Sequence, residues 1–288
     1  MERRRPFCAE ASAESGEPLA ATASRVDHWI LVEHRGFWGS EAVAASTLPG
    51  EVKRHLAREA AVLGRTKVLL IRRPQRRTRD GLRVFWGSSP ERGGRLSYAD
   101  LAGPDDLVGL DFTTPGEAIG HPLLLACTHG KHDRCCARYG RPVYEALADQ
   151  ADADWVWQCS HVGGDRFAGN VVCLPEGLYF GRVDPADTWA ILDEYLAGRI
   201  HLPFYRGRAC YAFAVQAAER AVREETGLRG FDELELVSKR PIVFRAGGRL
   251  YEVDVTATRG ELTYLTCSAD RLSRPPRYAA RILRESAA

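Results

Sequence analysis

No run of apolar residues in this 288-residue chain is long enough to cross a membrane. VLLI (68–71) and PLLLAC (122–127) fall far short of the ~20 residues that a span needs. An excess of charge of one sign is also lacking. Forty Lys and Arg against 38 Asp and Glu leave +2, which points to no particular partner and sets aside a non-specific nucleic-acid binder. The arginines of MERRRP have no apolar run behind them, so no secretory signal is expected and a reduced, cytoplasmic setting is. A Cys-x-x-Cys pair is missing, which removes the ordinary dithiol redox motif. Nor does any pair of carboxylates stand out for glycoside hydrolysis.

The bulk composition, 45% hydrophobic and 27% charged, is that of an ordinary globular protein with one large domain or two smaller ones. Its unevenness lies in arginine and cysteine. RRPQRRTR (72–79) carries five arginines and reads either as a docking patch for an acidic partner or as a solvated loop. Eight cysteines in a reducing compartment point to metal or catalysis before disulfides. Cys8, Cys210 and Cys267 are scattered and read as small buried hydrophobes or inert thiols. Cys127, Cys135, Cys136, Cys159 and Cys173 are clustered.

Residues 1–25 have little apolar periodicity and are expected to form a disordered tail. HWILVE (28–33) then reads as a strand, EVKRHLAREAAVLG (51–64) as a helix, and TKVLLIRR (66–73) as a strand. LRVFWGS (82–88) and GRLSYADL (94–101) read as a hairpin. The same order returns from 121. HPLLLACT is a strand, and PVYEALADQ is a helix with Pro142 in its first turn. DWVWQCS (154–160) is a strand with Trp155 and Trp157 on one face. VVCLP and GLYFGRV are a hairpin, and DPADTWAILDEYLAG (184–198) a helix.

Strand, helix, strand, hairpin, helix is the order of a thioredoxin-like layer. The expected fold is therefore α/β, with two thioredoxin-like units at 26–115 and 116–204 and a C-terminal α+β extension at 205–288. In the extension, RGRACYAFAVQAAERAVREETG reads as one long helix ending at Gly227. FDELELV, PIVFRA, RLYEVDV and ELTYLTC read as antiparallel strands.

The chemistry concentrates in CTHGKHDRCC (127–136) and in the loop after the next strand. Cys127 and Cys136 stand eight residues apart across a strand-to-helix loop, and His161 and Asp165 follow with three residues between them. In a strand–helix–strand layer the two loops lie at one edge of the sheet, so all four side chains can converge on a metal. Gly163 and Gly164 would let the backbone approach a cofactor closely. Vicinal Cys135 and Cys136 bridge only with strain. His129 and His132 could complete a zinc site with Cys127 and Cys136, or be polar loop residues. Arg166 and Arg182 lie near enough to offset charge at the site.

CTHGKHDRCCARYG followed by SHVGGDRFAGNVVCLPEGLYFGRV resembles the sucrase/ferredoxin-like family, relatives of the thioredoxin-like 2Fe–2S ferredoxins. The match is tight over about 121–200 and weak beyond about 230. The family pattern is C-x8-C and then H-x-G-G-H, the cysteines holding one iron and the histidines the other. The resemblance implies a 2Fe–2S cluster, electron transfer, and a reductase or acceptor as redox partner. It implies Cys127, Cys136 and His161 as ligands, Cys136 rather than Cys135 because the ferredoxin ligand sits four residues before a glycine, here Gly140.

Asp165 stands where the second histidine is expected. Three readings stay open: Asp165 binds iron directly; Cys159 or Cys135 takes the fourth place while Asp165 orients His161; or no cluster is held. A carboxylate ligand adds negative charge and favours the oxidised state. The expected potential therefore lies between roughly −400 mV for all-cysteine plant-type centres and the −150 to +300 mV range of two-histidine ones. The competing functions are a thiol-dependent redox enzyme using Cys127 or Cys136, and a zinc-stabilised binding module.

Overall fold

The computed structural model describes residues 6–73 and 81–287. Most of the arginine run (74–80) and residues 1–5 of MERRRP lie outside the described residues. A short helix α1 (Cys8–Glu14) precedes β1 (His28–Glu33), α2 (Gly50–Leu63), β2 (Thr66–Arg72), β3 (Leu82–Ser88), β4 (Arg95–Leu101) and the two-residue β5 (Glu117–Ala118). Then follow β6 (Leu123–Cys127), α3 (Arg134–Gln150), β7 (Val156–Cys159), β8 (Val171–Leu174), β9 (Leu178–Phe180) and α4 (Thr188–Leu196). The chain ends with β10 (Tyr205–Arg208), α5 (Phe213–Thr226), β11 (Leu234–Lys239), β12 (Ile242–Ala246), β13 (Arg249–Arg259) and β14 (Pro276–Ala287). Among the described residues no helix is long and apolar enough to cross a membrane.

Among the described residues the strands form a mixed ten-stranded sheet, β10-β9-β8-β6-β7-β2-β1-β3-β4-β5, and a four-stranded one, β11-β12-β13-β14. In the large sheet β1 and β2 run parallel, as do β6 and β7. Each first strand also pairs with an antiparallel hairpin, β3–β4 against β1 and β8–β9 against β6. The two halves meet antiparallel at β2 and β7, with Ile71 opposite Cys159 and Arg72 opposite Gln158.

The unbroken apolar run of β6 follows from its central place in this sheet. Leu123, Leu125 and Cys127 face one core with Trp29, Phe85, Trp157 and Tyr179. Leu124 and Ala126 face the other, with Val143 and Leu147 of α3 and Ile191 and Leu192 of α4. A strand buried on both faces needs apolar residues at every position. Each leucine so buried stabilises the fold by about 1.5–3 kcal/mol relative to exposure.

Helix α3 starts eight residues before Pro142, which lies in its interior rather than in its first turn. The start is set by Asp133, whose side chain accepts the Cys135 N–H at 2.7 Å. That cap places Cys136 in the first turn. Trp155 and Trp157 do not share a face: Trp155 precedes β7 and packs on the α3–α4 core, while Trp157 is buried in the other.

The expected tail at 1–25 is not loose where it is described. Residues 8–14 are helical with Cys8, Ala9 and Ser12 buried, and the following segment is pinned by Thr22 N–H to Arg206 C=O and Val26 N–H to Ala209 C=O. Polar partners far away in sequence hold it, among them Arg166 on Glu17 at 2.9 Å, so composition gives no sign of its order.

The C-terminal reading also needs correction. Arg206, Gly207 and Arg208 do not start a helix but belong to the edge strand β10, and the helix begins at Phe213. ELTYLTC is a loop apart from a bridge of Thr263 to Ser273, and β14 supplies the fourth strand. Helix α5 ends at Gly227 as expected, with φ +72°. It packs Val215, Ala218 and Val222 on Phe244, Tyr251 and Val253 of the small sheet.

Candidate metal centre

Cys127 closes β6, and Cys159 closes the parallel β7 beside it; the two are register partners. The loops leaving these strand ends carry the rest of the site. Gly140 decides how close helix and strand come, because a Cβ there would lie 1.9 Å from the Cys127 carbonyl oxygen. With glycine, α3 rests on the strand end and sets Cys136 against Cys127.

The Sγ atoms of Cys127 and Cys136 and a ring nitrogen of His161 all lie within 4.8 Å of one another. His161 Nδ1 is 3.8 Å from Cys136 Sγ and 2.8 Å from Asp165 Oδ1. Asp165 Oδ1 is in turn 3.5 Å from Cys136 Sγ. The three side chains that the resemblance implies thus meet at one place, and Asp165 adjoins them through His161 and Cys136. Of the two alternatives for the fourth position, Cys159 is buried against Cys127. Cys135 is turned away: its sulfur lies 3.5 Å from Cys8 Sγ and 3.3 Å from Cys267 Sγ. A step of one residue along a helix rotates the side chain by about 100°, so vicinal cysteines cannot serve the same site here.

Two histidines of the first loop take different parts. His129 has both ring nitrogens engaged, Nε2 donating to Gly39 C=O at 2.7 Å and Nδ1 accepting the His161 N–H at 3.3 Å. Burial lowers its pKa, which keeps the ring neutral in that role. His132 reaches the site itself. Its ring stacks on His161 with centroids 3.9 Å apart, and its Nε2 is 3.8 Å from Asp165 Oδ2. Only its place in the ligand loop hinted at this.

Gly163 and Gly164 have φ of +104° and +80°. Their missing side chains make room for protein rather than for a cofactor. A Cβ on Gly163 would meet Ser24 Oγ at 2.2 Å, and one on Gly164 would meet Arg206 Nη2 at 2.4 Å. Arg206, absent from the sequence reading, is fully buried behind this loop. It donates to Gly163 C=O at 3.0 Å and Asn170 Oδ1 at 2.7 Å, while Asn170 donates to Gly164 C=O at 2.9 Å. Arg166 and Arg182 are occupied with Glu17 and Ser12.

The electrostatics of the metal-free group favour one shared thiolate. The Cys136 and Cys159 thiols donate to Cys127 and hold its pKa well below the usual thiol value, against burial. Cys136 is correspondingly raised by that donation and by burial. Burial alone would lower His161, but hydrogen bonds to Asp165 and Cys127, with their charges, push it up to about 9. The sulfurs are sealed off and Asp165 is 3% exposed, whereas the His161 side chain is 19% exposed. The site opens on its imidazole side, into a groove of about 370 Å³ lined in part by Lys67, His132 and His161.

Residues 19–207 match the model of the sucrase/ferredoxin-like family. Altered inheritance of mitochondria protein 32 of Debaryomyces hansenii is 34% identical over 100 residues, 31% of this chain and 36% of that one. The protein of the same name from Meyerozyma guilliermondii is 37% identical over 99 residues, 31% of this chain and 35% of that one. The matched stretch thus spans about a third of these curated relatives. Among solved structures, a thioredoxin-like [2Fe-2S] ferredoxin from Aquifex aeolicus is 19% identical with a TM-score of 0.29, covering 33% of this chain and 97% of that one.

Proposed function

The chain belongs to the sucrase/ferredoxin-like family, and on that premise we propose that it is an electron carrier whose 2Fe–2S cluster is held by Cys127, Cys136, His161 and Asp165. The observation that carries this reading is the convergence of two buried sulfurs, an imidazole and a carboxylate at the ends of two parallel strands. The donor set fits iron: thiolates and imidazole are ordinary iron ligands, and a carboxylate is an anionic oxygen donor that iron also takes. Bound there, the cluster supplies a one-electron couple.

The chain's own residues do the rest. In the metal-free protein Asp165 Oδ1 lies 2.8 Å from His161 Nδ1 and holds the ring in place, and binding iron through these atoms would release the proton between them. His129 fixes the backbone at His161, and Arg206 fixes the loop behind it. The cores around Cys127 and Cys136 exclude water from the sulfur side, so electrons exchange with a reductase or acceptor at the imidazole side. Arg72 and Arg73, the described part of the arginine run, are engaged with Gln158 and Asp154, so among the described residues they are not the docking charge. The buried sulfurs argue against a thiol enzyme, which needs an accessible thiolate.

The reading includes two thioredoxin-like units, 26–115 without ligands and 116–204 with them, followed by the extension 205–288. The matching strand orders on either side of the β2–β7 joint support it. The cytoplasm is the proposed compartment.

The test is the visible spectrum of the anaerobically purified chain, with iron and acid-labile sulfide counted on the same sample. A red-brown protein with about two irons and two sulfides is expected, and Asp165→His should raise its midpoint potential. A colourless protein that resists reconstitution, or one that holds zinc at Cys127 and Cys136 without sulfide, overturns the proposal.

A further inference from the structure

Four side chains that play no part in the centre above form a second group. Cys8 comes from α1, Asp133 and Cys135 from the start of α3, and Cys267 from the loop between β13 and β14. Their ligand atoms all lie within 4.8 Å of one another, and all four residues are buried. The three sulfurs form a nearly equilateral triangle: 3.5 Å from Cys8 to Cys135, 3.3 Å from Cys135 to Cys267 and 3.6 Å from Cys267 to Cys8. Both Asp133 oxygens lie 3.8 Å from Cys8 Sγ.

We propose that Cys8, Cys135, Cys267 and Asp133 bind a soft divalent cation, zinc, as a structural site separate from the cluster. Tetrahedral zinc with bonds of about 2.3 Å to sulfur places its thiolates about 3.8 Å apart, and the observed triangle needs only a slight expansion to reach that. A disulfide explains the triangle less well, because a bond of about 2.05 Å between any two sulfurs would abandon the third in a buried position.

The surroundings suit thiolates bound to a cation. The Cys8 N–H donates to Cys267 Sγ at 3.5 Å, and the Ala9 N–H lies against Cys135 Sγ. Asp133 accepts the N–H of Cys135 at 2.7 Å and of Cys267 at 2.6 Å, one on each oxygen, which ties down the backbone of two ligands and leaves each oxygen a lone pair. Arg134 and Arg138 lie over the ring of Phe7, next to Cys8, and bring positive charge to an otherwise anionic group.

The consequence is a staple. Residues 8, 135 and 267 come from distant parts of the chain, and the metal would reinforce the packing of α1 and the 260–275 loop on the first helical turn that also presents Cys136. Three thiolates select zinc over the hard cations magnesium and calcium.

The experiment uses the full chain, reduced, given zinc and desalted, with zinc and iron counted together. The wild-type protein should keep about one zinc per chain that Cys8→Ser/Cys267→Ser loses and Cys127→Ser/Cys136→Ser retains. Cobalt(II) provides a second reading without disturbing the site: the Cys127→Ser/Cys136→Ser protein should show intense thiolate-to-cobalt absorption that zinc abolishes. Wild-type protein holding no more zinc than Cys8→Ser/Cys267→Ser overturns the proposal, as does a count of six rather than eight thiols after denaturation. Iron and sulfide report on the first centre, and zinc that is lost with Cys8→Ser/Cys267→Ser but kept with Cys127→Ser/Cys136→Ser reports on this one, so the two readings fail separately.

Discussion

His161 and Cys127 illustrate how two shifted groups share one proton. In the metal-free protein His161, pushed from 6.5 up to about 9, contributes stability that is complete below pH 6.5 and lost as pH rises through about 9. Cys127, held well below its ordinary 9.0, does the opposite: its contribution is present above pH 9 and lost as pH falls through its folded value. Between these limits the folded pair keeps its proton on the imidazole, and the unfolded chain keeps one on the sulfur. The proton counts match, so this pair gives stability almost no slope from about pH 6.5 to 9. Cys127→Ser keeps the His161–Asp165 contact but removes the push that Cys127 supplies, so stability should then fall as pH rises above 6.5, over a narrower window than the one that ends at about 9. Urea titrations of both metal-free proteins at several pH values check it; parallel curves would place the proton elsewhere.

Among the elements, α3 carries the most. Its cap sends Cys135 and Cys136 into different groups, and its close approach to β6 rests on Gly140. Gly140→Ala must displace the helix from the Cys127 carbonyl. Overpacking of this kind typically costs about 1–3 kcal/mol, and here it also separates Cys136 from Cys127. Lower stability together with reduced iron retention is the expected pair of outcomes, read by denaturation and metal analysis. Loss of stability with full iron retention would mean that the helix can shift without moving its ligand.

On the scale of the whole molecule, α5 joins the two sheets through buried charge. Arg223 Nε lies 3.1 Å from Glu219 Oε1, each side chain 1% exposed, and the Tyr205 hydroxyl of β10 donates to Glu219 at 3.0 Å. Arg208 of the same strand is buried nearby and donates to Phe231 C=O at 2.9 Å. Glu219→Ala leaves these guanidinium groups without their carboxylate. Breaking a buried pair from one side costs about 3–5 kcal/mol, so the thermal midpoint should drop markedly. A variant as stable as the wild type would show that water reaches this joint.

The sequence by itself determined the strands, the hairpins and the candidate side chains of the centre, because each depends on local facts: continuous apolar runs, turn residues at Pro175 to Gly177, and fixed spacings such as that from Cys127 to Cys136. The family resemblance marked Gly140, whose reason became plain only when α3 was seen lying on β6. Tertiary structure alone decided the order of α1, the strand at Tyr205–Arg208, the approach of His132 and the burial of Arg206. Those outcomes depend on partners far along the chain, such as Phe180 for Tyr205, His161 for His132 and Thr22 for Arg206. Cys8, Cys135 and Cys267 are the extreme case. Nothing in their spacing relates them, and they meet because the helix turn at 135 leaves a face that α1 and the last long loop both come to cover.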